Sequence, residues 1–265
     1  MKMLKIEDAS RQAWPALEEK ELPFGVLRYA CGVNRRSNSM NVYPRADYEY
    51  NDLLRSTESF FGQRSLPASV RILGSRENRE LDFQLLDSYL AGKGYGLEAP
   101  TNVLLCDLPI SDSTNAYVAE SLELNDWLRA WQTIGSRSNI QVGVHQITLS
   151  KIIANHCFLT LKDKLGITVS CAMGVISDDV LGIYGVGTRE TYRGLGYGTS
   201  LLERLMRWGS SNRARYACLQ VESANFAALR LYEKLGFRKF YSYWYRVQNQ
   251  HCMHAQGVAH EYTGT

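Results

Sequence analysis

The most constraining feature of the sequence is a glycine-rich segment, VGTRETYRGLGYGT, which runs from Val186 to Thr199 between a strand-like and a helix-like stretch. Three of its glycines alternate with other residues: Gly194, Gly196 and Gly198. Because glycine has no Cβ, such a loop can turn its backbone N–H groups inward, and the helix that follows, to Trp208, adds the positive end of its dipole. Arg193 supplies a charge beside it. The segment predicts a phosphate-binding loop, although a plain glycine-rich turn has the same pattern.

A second informative segment, LQVESANFAALRLYEKLGF, extends from Leu219 to Phe237. Its first residues alternate as in a strand, and the rest predicts a helix. Asn225 suits the start of that helix, where its side chain can cap free N–H groups, and Gly236 suits a left-handed stop. Tyr232 follows Asn225 by two helical turns, so both side chains can point to the same side.

Together the two segments resemble one family. Arg193 to Gly198 matches the R/Q-x-x-G-x-G/A signature of the GNAT superfamily of N-acetyltransferases, and Asn225 to Phe237 matches its second motif, in the family's order and spacing. The resemblance covers Gln141 to Val247. It implies an α+β GNAT fold with a mixed, mostly antiparallel central sheet flanked by helices. It also implies acetyl-CoA as the cofactor and direct attack by an amine on the thioester in a ternary complex.

The resemblance also implies roles for individual residues. The strand from Leu181 to Gly187 is expected to splay from its neighbour so that the pantetheine arm pairs with backbone groups of Val186 and Thr188. A backbone N–H near Val186 or Gly187 polarises the carbonyl, and Tyr232 is the candidate acid for the departing thiolate, unless it only packs in the core. The residues assigned to the cofactor are Val186, Gly187, Thr188, Arg193, Gly194, Leu195, Gly196, Tyr197, Gly198, Thr199, Asn225 and Tyr232. Independently, three glycines in one strand indicate a bulge or a close ligand approach.

The general base is left open by the sequence. Relatives that acetylate protein N-termini have a glutamate five residues before the motif asparagine, and this chain has Gln220, which cannot act as a base. Glu222 falls two residues later on the same strand face and could replace that glutamate directly or through water. It could equally be a surface glutamate. The amine could also lose its proton to solvent or to the N-terminal half.

The order of predicted elements indicates a two-part chain: an N-terminal αβ domain from 1 to 110, a catalytic domain from 120 to 250 and a tail from 251 to 265, with a proline- and serine-rich boundary between the domains. In the first domain the pattern predicts helices at Ile6–Leu17, Asn51–Phe61 and Glu80–Lys93, and strands at Phe24–Val33, Ser69–Leu73 and Asn102–Leu105, in the order αβαβαβ. In the second it predicts strands at Gln141–Thr148, Gly166–Ser177 and Val180–Thr188, with mixed signals at Ser150–Leu161. The stretch DSYLAGKGY (87–95) faintly echoes RLYEKLGF (230–237), so the first domain could be a degenerate GNAT-like repeat.

The polar segment GVNRRSNSMNVYP, from Gly32 to Pro44, resembles the R-x-N-S stretch of a two-part subset of GNAT proteins. Arg36, Asn38 and Ser39 could therefore contact the acceptor. A polar turn is the alternative, because asparagine and serine favour turns.

Composition excludes several classes. A formal net charge of +3 with no block of lysine and arginine argues against nucleic acid, and no run is long enough for a membrane span. The six cysteines form no C-x-x-C pair, which indicates reduced thiols and a cytoplasmic protein. The His251–His254 run has no convincing metal spacing, so no metal site is expected.

The expected function is N-acyl transfer, most simply of acetyl, to the primary amine of a small molecule or peptide. The alternative is a non-catalytic module that binds CoA or acyl-CoA and regulates a partner, which the missing glutamate at position 220 favours. The alternating aromatic run Tyr241 to Tyr245 could line an acceptor pocket, form a homodimer contact or simply pack.

Overall fold

The computed structural model describes residues 2–43, 48–74, 83–110 and 119–249, which form two compact units. Unit 1 combines Met1–Pro15 with Asn102–Phe240, and unit 2 combines Ala16–Thr101 with the chain from Tyr241 onward. Each unit is therefore assembled from two separate stretches, whereas the predicted division near residues 110 to 120 is sequential. The predicted tail, 251–265, lies outside the described residues.

The helices in chain order are α1 (Lys2–Ala13), α2 (Tyr50–Gly62), α3 (Gln84–Gly92), α4 (Leu124–Gly135), α5 (Asn139–Leu149), α6 (Tyr197–Ser211) and α7 (Phe226–Lys234). The strands are β1 (Glu18–Leu22), β2 (Gly25–Tyr29), β3 (Ser39–Val42), β4 (Ser69–Gly74), β5 (Tyr95–Asp107), β6 (Ala119–Ser121), β7 (His156–Lys162), β8 (Thr168–Ser177), β9 (Val180–Thr188), β10 (Tyr216–Glu222) and β11 (Arg238–Gln248).

The sheet of unit 1 has the strand order β5-β10-β9-β8-β7-β6. Strands β6 to β9 each pair antiparallel with the next. Strand β9 pairs parallel with β10, and helix α6 connects these two strands. One face packs against α6 and α7 through residues such as Leu201 and Leu205. The other packs against α1, where Ala13 and the following Trp14 are buried, and against α4 through Trp127. The predicted α+β class with a mixed, mostly antiparallel sheet is confirmed.

Unit 2 has the strand order β1-β2-β3-β4-β11. Strands β1, β2 and β3 pair antiparallel, β3 and β4 pair parallel around the connecting helix α2, and β4 pairs antiparallel with β11. The succession β1-β2-β3-α2-β4-α3 thus repeats in unit 1 as β7-β8-β9-α6-β10-α7. Both α3 and α7 are followed by a glycine with positive φ, Gly94 at +82° and Gly236 at +87°. This succession is the order that a tandem repeat of one unit would have.

The strand that ends each repeat explains why the units are discontinuous. Strand β5 follows α3 of the first repeat, but from Asn102 it belongs to unit 1, where it pairs with β10. Strand β11 follows α7 of the second repeat, but from Tyr241 it belongs to unit 2, where it pairs with β4. Helix α1 likewise belongs to unit 1.

The predicted strand at Gln141–Thr148 is wrong, because these residues lie in helix α5. The helix is fixed at its start by a capping box in which Ser138 Oγ accepts from the Gln141 N–H and Gln141 Oε1 accepts from the Ser138 N–H. These two bonds satisfy N–H groups that a helix end otherwise leaves unpaired. The apolar pattern of the segment suits a strand, and the capping signal just before it decides the outcome.

The predicted order αβαβαβ of the N-terminal half is also wrong, since three strands lie between α1 and α2. The predicted strand Phe24–Val33 ends at Tyr29, and the stretch with mixed signals, Ser150–Leu161, resolves into a loop followed by β7. Short strands such as β1 and β3 carry little periodic signal, and their place in the sheet depends on pairing with neighbouring strands.

Candidate active site

The central feature of unit 1 is a fork between two parallel strands. Strands β9 and β10 pair over four residues each, ending with Ile183 opposite Leu219. Beyond that pair, residues 184–188 of β9 and 220–222 of β10 do not pair with each other, and we call the opening between these strand ends the gap. The splayed strand that the family resemblance implied is present.

A bulge in β9 lies directly after the fork opens. Cys171 of β8 pairs with Gly187, whereas Met173 pairs with Tyr184, so two residues of β9 oppose one residue of β8. Gly185 adopts φ +60° there, and a Cβ on it would lie 2.7 Å from the Trp127 ring. A side chain at this position would be strained and would clash, so the bulge depends on glycine. The predicted bulge in this strand is confirmed.

The backbone of Thr188 faces the gap. The Arg189 N–H donates to the Val169 carbonyl at 2.8 Å, which turns Arg189 toward β8. Successive backbone groups in a strand point to opposite sides, so the N–H and C=O of Thr188 point away from β8. A Cβ on Gly198 would lie 3.4 Å from Thr188 Oγ1, so this end of the gap meets the first turn of α6.

The glycine-rich loop begins where the gap ends. Gly194 and Gly196 have φ of +76° and +86°, and a Cβ on either would meet nothing within 4 Å. Gly196 is the N-cap of α6 and has no side chain that could accept from the first N–H groups of the helix. The Ser200 N–H donates to the Gly196 carbonyl in the first hydrogen bond of the helix. Arg193 is exposed, with its Nε 3.4 Å from the Thr188 carbonyl. An open loop, a helix N-terminus and a guanidinium therefore meet at one place, as an anion site requires.

A turn between β7 and β8 supports this loop, and sequence reasoning missed it. Asp163 accepts from the N–H groups of Leu165 and Ile167, both at 2.9 Å, and from the Tyr192 hydroxyl at 2.7 Å. The bond from Tyr192 lowers the pKa of Asp163 and raises the pKa of Tyr192. The Tyr192 ring contacts Tyr197, the first residue of α6, edge-on. The only sequence signal was an aspartate at the start of a tight turn.

The motif asparagine and tyrosine occupy opposite ends of α7. Asn225 is the N-cap, and its Oδ1 accepts from the Ala228 N–H at 3.2 Å. Tyr232 is 7% exposed and lies against Phe237. Burial raises the pKa of Tyr232 to about 12, and its hydroxyl has no hydrogen-bond partner among the described residues. The phenol therefore stays protonated at neutral pH and can donate a hydrogen bond.

The two candidate positions for a base differ in their surroundings. Glu222 is exposed at the end of β10, and its carboxylate forms no ion pair within the described parts of the chain. Gln220 is half-buried, and its Nε2 donates to Ser10 Oγ of α1 at 2.9 Å. Sequence reasoning did not anticipate Ser10, because 210 residues separate it from Gln220.

The three residues expected to contact an acceptor, Arg36, Asn38 and Ser39, lie together in unit 2. Asn38 is buried; its Oδ1 accepts from the N–H groups of Ala30 and Gly32, and its Nδ2 donates to the carbonyls of Ala30 and Asn34. All of its hydrogen-bonding capacity is used within its own turn. We therefore assign Asn38 to the turn and do not propose it as an acceptor contact.

Two buried thiols and the possibility of a metal site were the other candidates for reactive chemistry among the described residues. Burial raises the pKa of Cys157 and of Cys171 to about 12, so neither thiol forms a nucleophilic thiolate at neutral pH. Within 2–43, 48–74, 83–110 and 119–249 no cluster of three or more metal-ligating side chains occurs, and no helix is long and apolar enough to cross a membrane. The His251–His254 run lies outside these residues.

Comparison with known proteins assigns this site to a family. Residues 121–237, which contain the fork, the glycine-rich loop and α7, match the model of the acetyltransferase (GNAT) family. These residues belong to the GNAT family. The GNAT signature loop is therefore the loop from Arg193 to Gly198, and its second motif is α7 with its flanking residues.

Several known proteins are similar to this chain over more than the GNAT segment. A curated protein of Bacillus subtilis (strain 168), the uncharacterized N-acetyltransferase YobR, is 27% identical over 92% of this chain and 98% of its own length. A solved GNAT protein from Kribbella flavida is similar with a TM-score of 0.67 at 16% identity, covering 92% of this chain and 94% of that one. A tandem GNAT protein from the clavulanic acid biosynthesis pathway gives a TM-score of 0.55 at 11% identity, over 74% of this chain and 68% of its own. The two structural likenesses show the fold.

Proposed function

We propose that this protein transfers an acyl group, acetyl in the first instance, from acetyl-CoA to the primary amine of a small molecule or peptide, by direct attack in a ternary complex. One observation carries the proposal: within unit 1 the gap between β9 and β10 runs into an open glycine-rich loop at the N-terminus of α6. The name of the curated relative, an N-acetyltransferase, agrees with it.

The residues present fit acetyl-CoA. The loop from Arg193 to Thr199 would hold the pyrophosphate, since its glycines leave the backbone open and Arg193 adds a positive charge. The gap would take the extended pantetheine arm against the backbone of Val186 and Thr188 in the manner of an added strand. When bound, acetyl-CoA supplies an activated thioester.

Tyr232 would donate to the sulfur as negative charge develops there. A free thiol has a pKa near 8.5, well below the value of about 12 for the buried phenol. Complete proton transfer from Tyr232 to a thiolate is therefore uphill, and a hydrogen bond to sulfur is the role that fits. This refines the sequence-based argument, which assumed an ordinary phenol. A backbone N–H near Val186 or Gly187 would polarise the carbonyl.

Glu222 is our candidate base. Its side chain lies two residues beyond Gln220 and therefore on the same face of β10, at the open end of the fork. An exposed carboxylate can accept the amine proton directly or through one water. Relatives with a glutamate at position 220 would have a carboxylate nearer to the apex of the fork.

The direct test is release of thiol from acetyl-CoA across a panel of small-molecule and peptide amines, with acetyl-CoA binding measured by calorimetry in parallel. Acceptor-dependent release supports the enzyme. Binding without release from any amine would favour the alternative, a regulatory CoA-binding module, which the Gln220 substitution supports. Absence of binding would contradict both.

A matched pair of variants tests the loop itself. Gly196→Asp places a negative charge where the phosphates would lie, and we expect acetyl-CoA binding to be lost. Gly143→Asp adds the same charge on α5, where a Cβ meets nothing within 4 Å, and should bind normally. Equal binding by both variants would remove the loop from the proposal.

We also propose a cytoplasmic location. The described cysteines are free thiols, four of them buried, which fits the reducing cytoplasm. The acceptor contacts of Arg36 and Ser39 and the homodimer stay predictions.

A further inference from the structure

Three polar side chains meet on the α1 face of the fork. Gln220 Nε2 donates to Ser10 Oγ at 2.9 Å, and the Tyr184 hydroxyl donates to the same oxygen over a longer 3.4 Å. Ser10 and Tyr184 are 7% and 5% exposed. A serine oxygen has two lone pairs, and these two donors use both. Ser10 thus fixes two residues that come from different strands.

The position of this cluster follows from the strand register. Ile183 and Leu219 form the last pair before the strands part, and Tyr184 and Gln220 are the next residue on each strand. Since side chains alternate, Tyr184 and Gln220 share the face opposite to Ile183 and Leu219. Tyr184 accordingly packs in the cluster on the α1 and α4 side. Val186, near which the polarising N–H is proposed, lies only two residues beyond Tyr184.

The bond to Ser10 also sets the direction of the Gln220 amide. An amide is planar, so holding Nε2 against Ser10 limits the directions in which Oε1 can point. That oxygen has two lone pairs and accepts hydrogen bonds, but it takes no proton at neutral pH. A neutral primary amine can donate one N–H to it and keep its own lone pair for attack. Gln220 can therefore orient an amine, and the proton must go elsewhere.

We propose that Ser10, acting through Gln220, is a positioning residue for the acceptor amine. This inference rests on the acyl transfer proposed above. The N-terminal helix thereby contributes to a site whose motifs all lie after residue 180.

The decisive comparison is between two bonds that both tie α1 to the sheet. Ser10→Ala removes the bonds to Gln220 and Tyr184, whereas Ser177→Ala removes an exposed bond from Ser177 Oγ to Gln12 Oε1 at 3.2 Å. We expect Ser10→Ala to lower kcat/KM for the acceptor about tenfold, as loss of one such hydrogen bond allows. Its acetyl-CoA Kd by calorimetry should stay within twofold of the parent. Ser177→Ala should change neither quantity, and Ser10→Thr, which keeps the hydroxyl, should restore activity.

Every other result overturns the inference. Equal losses in Ser10→Ala and Ser177→Ala, or a parallel rise in acetyl-CoA Kd, would show a merely structural role. If Ser10→Ala does not fold, Gln220→Met is the second test, because it removes the amide that donates to Ser10 and Gln220 is only half-buried. This variant must show the same acceptor-specific loss. A parent protein that turns over no amine contradicts the proposed function itself, whereas an active parent with an unaffected Ser10→Ala contradicts only this inference.

Discussion

Units 1 and 2 repeat one succession of strands and helices, yet they differ at the connection from the third strand to the first helix. In unit 1 this connection, between β9 and α6, contains Arg193, Gly194 and Gly196 in an open loop. In unit 2 the corresponding stretch, residues 43–49, reads YPRADYE and contains no glycine. The fold therefore does not need a glycine-rich loop at this point. The glycines of the loop in unit 1 agree with the phosphate-binding role proposed for it.

A second difference lies inside the second helix of each repeat. When Gly94 is aligned with Gly236, Leu90 of α3 corresponds to Tyr232 of α7. Leu90 is completely buried and Tyr232 nearly so, at 0% and 7% exposed. Unit 2 shows that an aliphatic side chain satisfies the packing at this position. The hydroxyl of Tyr232 is therefore not required by the packing of the repeat.

The largest effect is expected from Tyr232→Phe, which brings the site closer to its apolar counterpart in unit 2. Turnover should fall about 100- to 1000-fold, the usual cost of removing one hydrogen-bond donor from a site where negative charge develops. Acetyl-CoA Kd and Tm should change little, because no hydrogen bond to a described residue is lost. Steady-state thiol release, calorimetry and thermal unfolding measure the three quantities.

The matched control is Tyr89→Phe, which removes a hydroxyl from the counterpart helix α3, where Tyr89 donates to Asn51 at 2.6 Å. It should leave turnover unchanged. Because burial raises the pKa of Tyr232 to about 12, ionisation of this phenol should cause no loss of turnover below about pH 10. Unchanged turnover in Tyr232→Phe would return Tyr232 to a packing role like that of Leu90.

The next largest effect is expected on stability, from loss of the ion pair between Asp87 and Arg246 in unit 2. Asp87 of α3 accepts from Arg246 Nε and Nη2 of β11, both at 2.7 Å, and from Trp244 Nε1 at 2.6 Å. Partial burial alone would raise the pKa of Asp87, but these hydrogen bonds outweigh it and lower the pKa below 3.8. Asp87→Asn should reduce the free energy of unfolding at pH 7 by about 2–3 kcal/mol, as measured by urea titration.

The pH dependence sharpens this prediction. A lowered carboxyl pKa stabilises the fold above the unfolded-state value, and that stability is lost as pH falls through the folded-state pKa. The difference between the parent and Asp87→Asn should therefore shrink below about pH 3.8. Asp52→Asn, at an exposed pair with Arg55 on α2, should cost little at any pH. A similar cost at both sites would contradict a special role for the contact with β11.

The sequence predicted the parts of the molecule that depend on neighbouring residues. The loop from Arg193 to Gly198, the Asn225 cap and the Gly236 stop are each specified within a few positions, and the structure has them where expected. The bulge at Gly185 was indicated in the same way. Local patterns encode caps, turns and glycine conformations directly.

The remainder depends on contacts between distant residues. The pairing of β5 in unit 1 and of β11 in unit 2 has no local signal, since any strand with the right faces could fill either place. The bond between Ser10 and Gln220 joins residues 210 positions apart. Helix α5 was mistaken for a strand because its apolar spacing suits both periods, and only the Ser138 capping box distinguishes them.

A smaller effect is expected from the charge at the loop. Arg193→Ala should raise the Kd of acetyl-CoA about tenfold, since an exposed guanidinium contributes about 1 kcal/mol or slightly more toward a phosphate. The loss should diminish at high salt, which screens exposed charges. Arg55→Ala removes an equally exposed arginine from α2, the counterpart of α6 in unit 2. An equal change of Kd in both variants would mean that only net charge matters.

The smallest effect is expected from substitutions of Asn225, which distinguish helix capping from cofactor binding. Helix α7 begins with a side-chain cap from Asn225, whereas α3 begins at Phe83 without one, so the repeat folds either way. Asn225→Ala should cost about 1 kcal/mol, or about 2–4 °C in Tm, and Asn225→Asp should restore it because aspartate caps equally well. If capping is the whole role of Asn225, acetyl-CoA Kd stays constant in both variants. If Asn225 also binds the cofactor, Kd rises in Asn225→Asp despite the recovered Tm, because a carboxylate keeps the cap but cannot replace the amide donor.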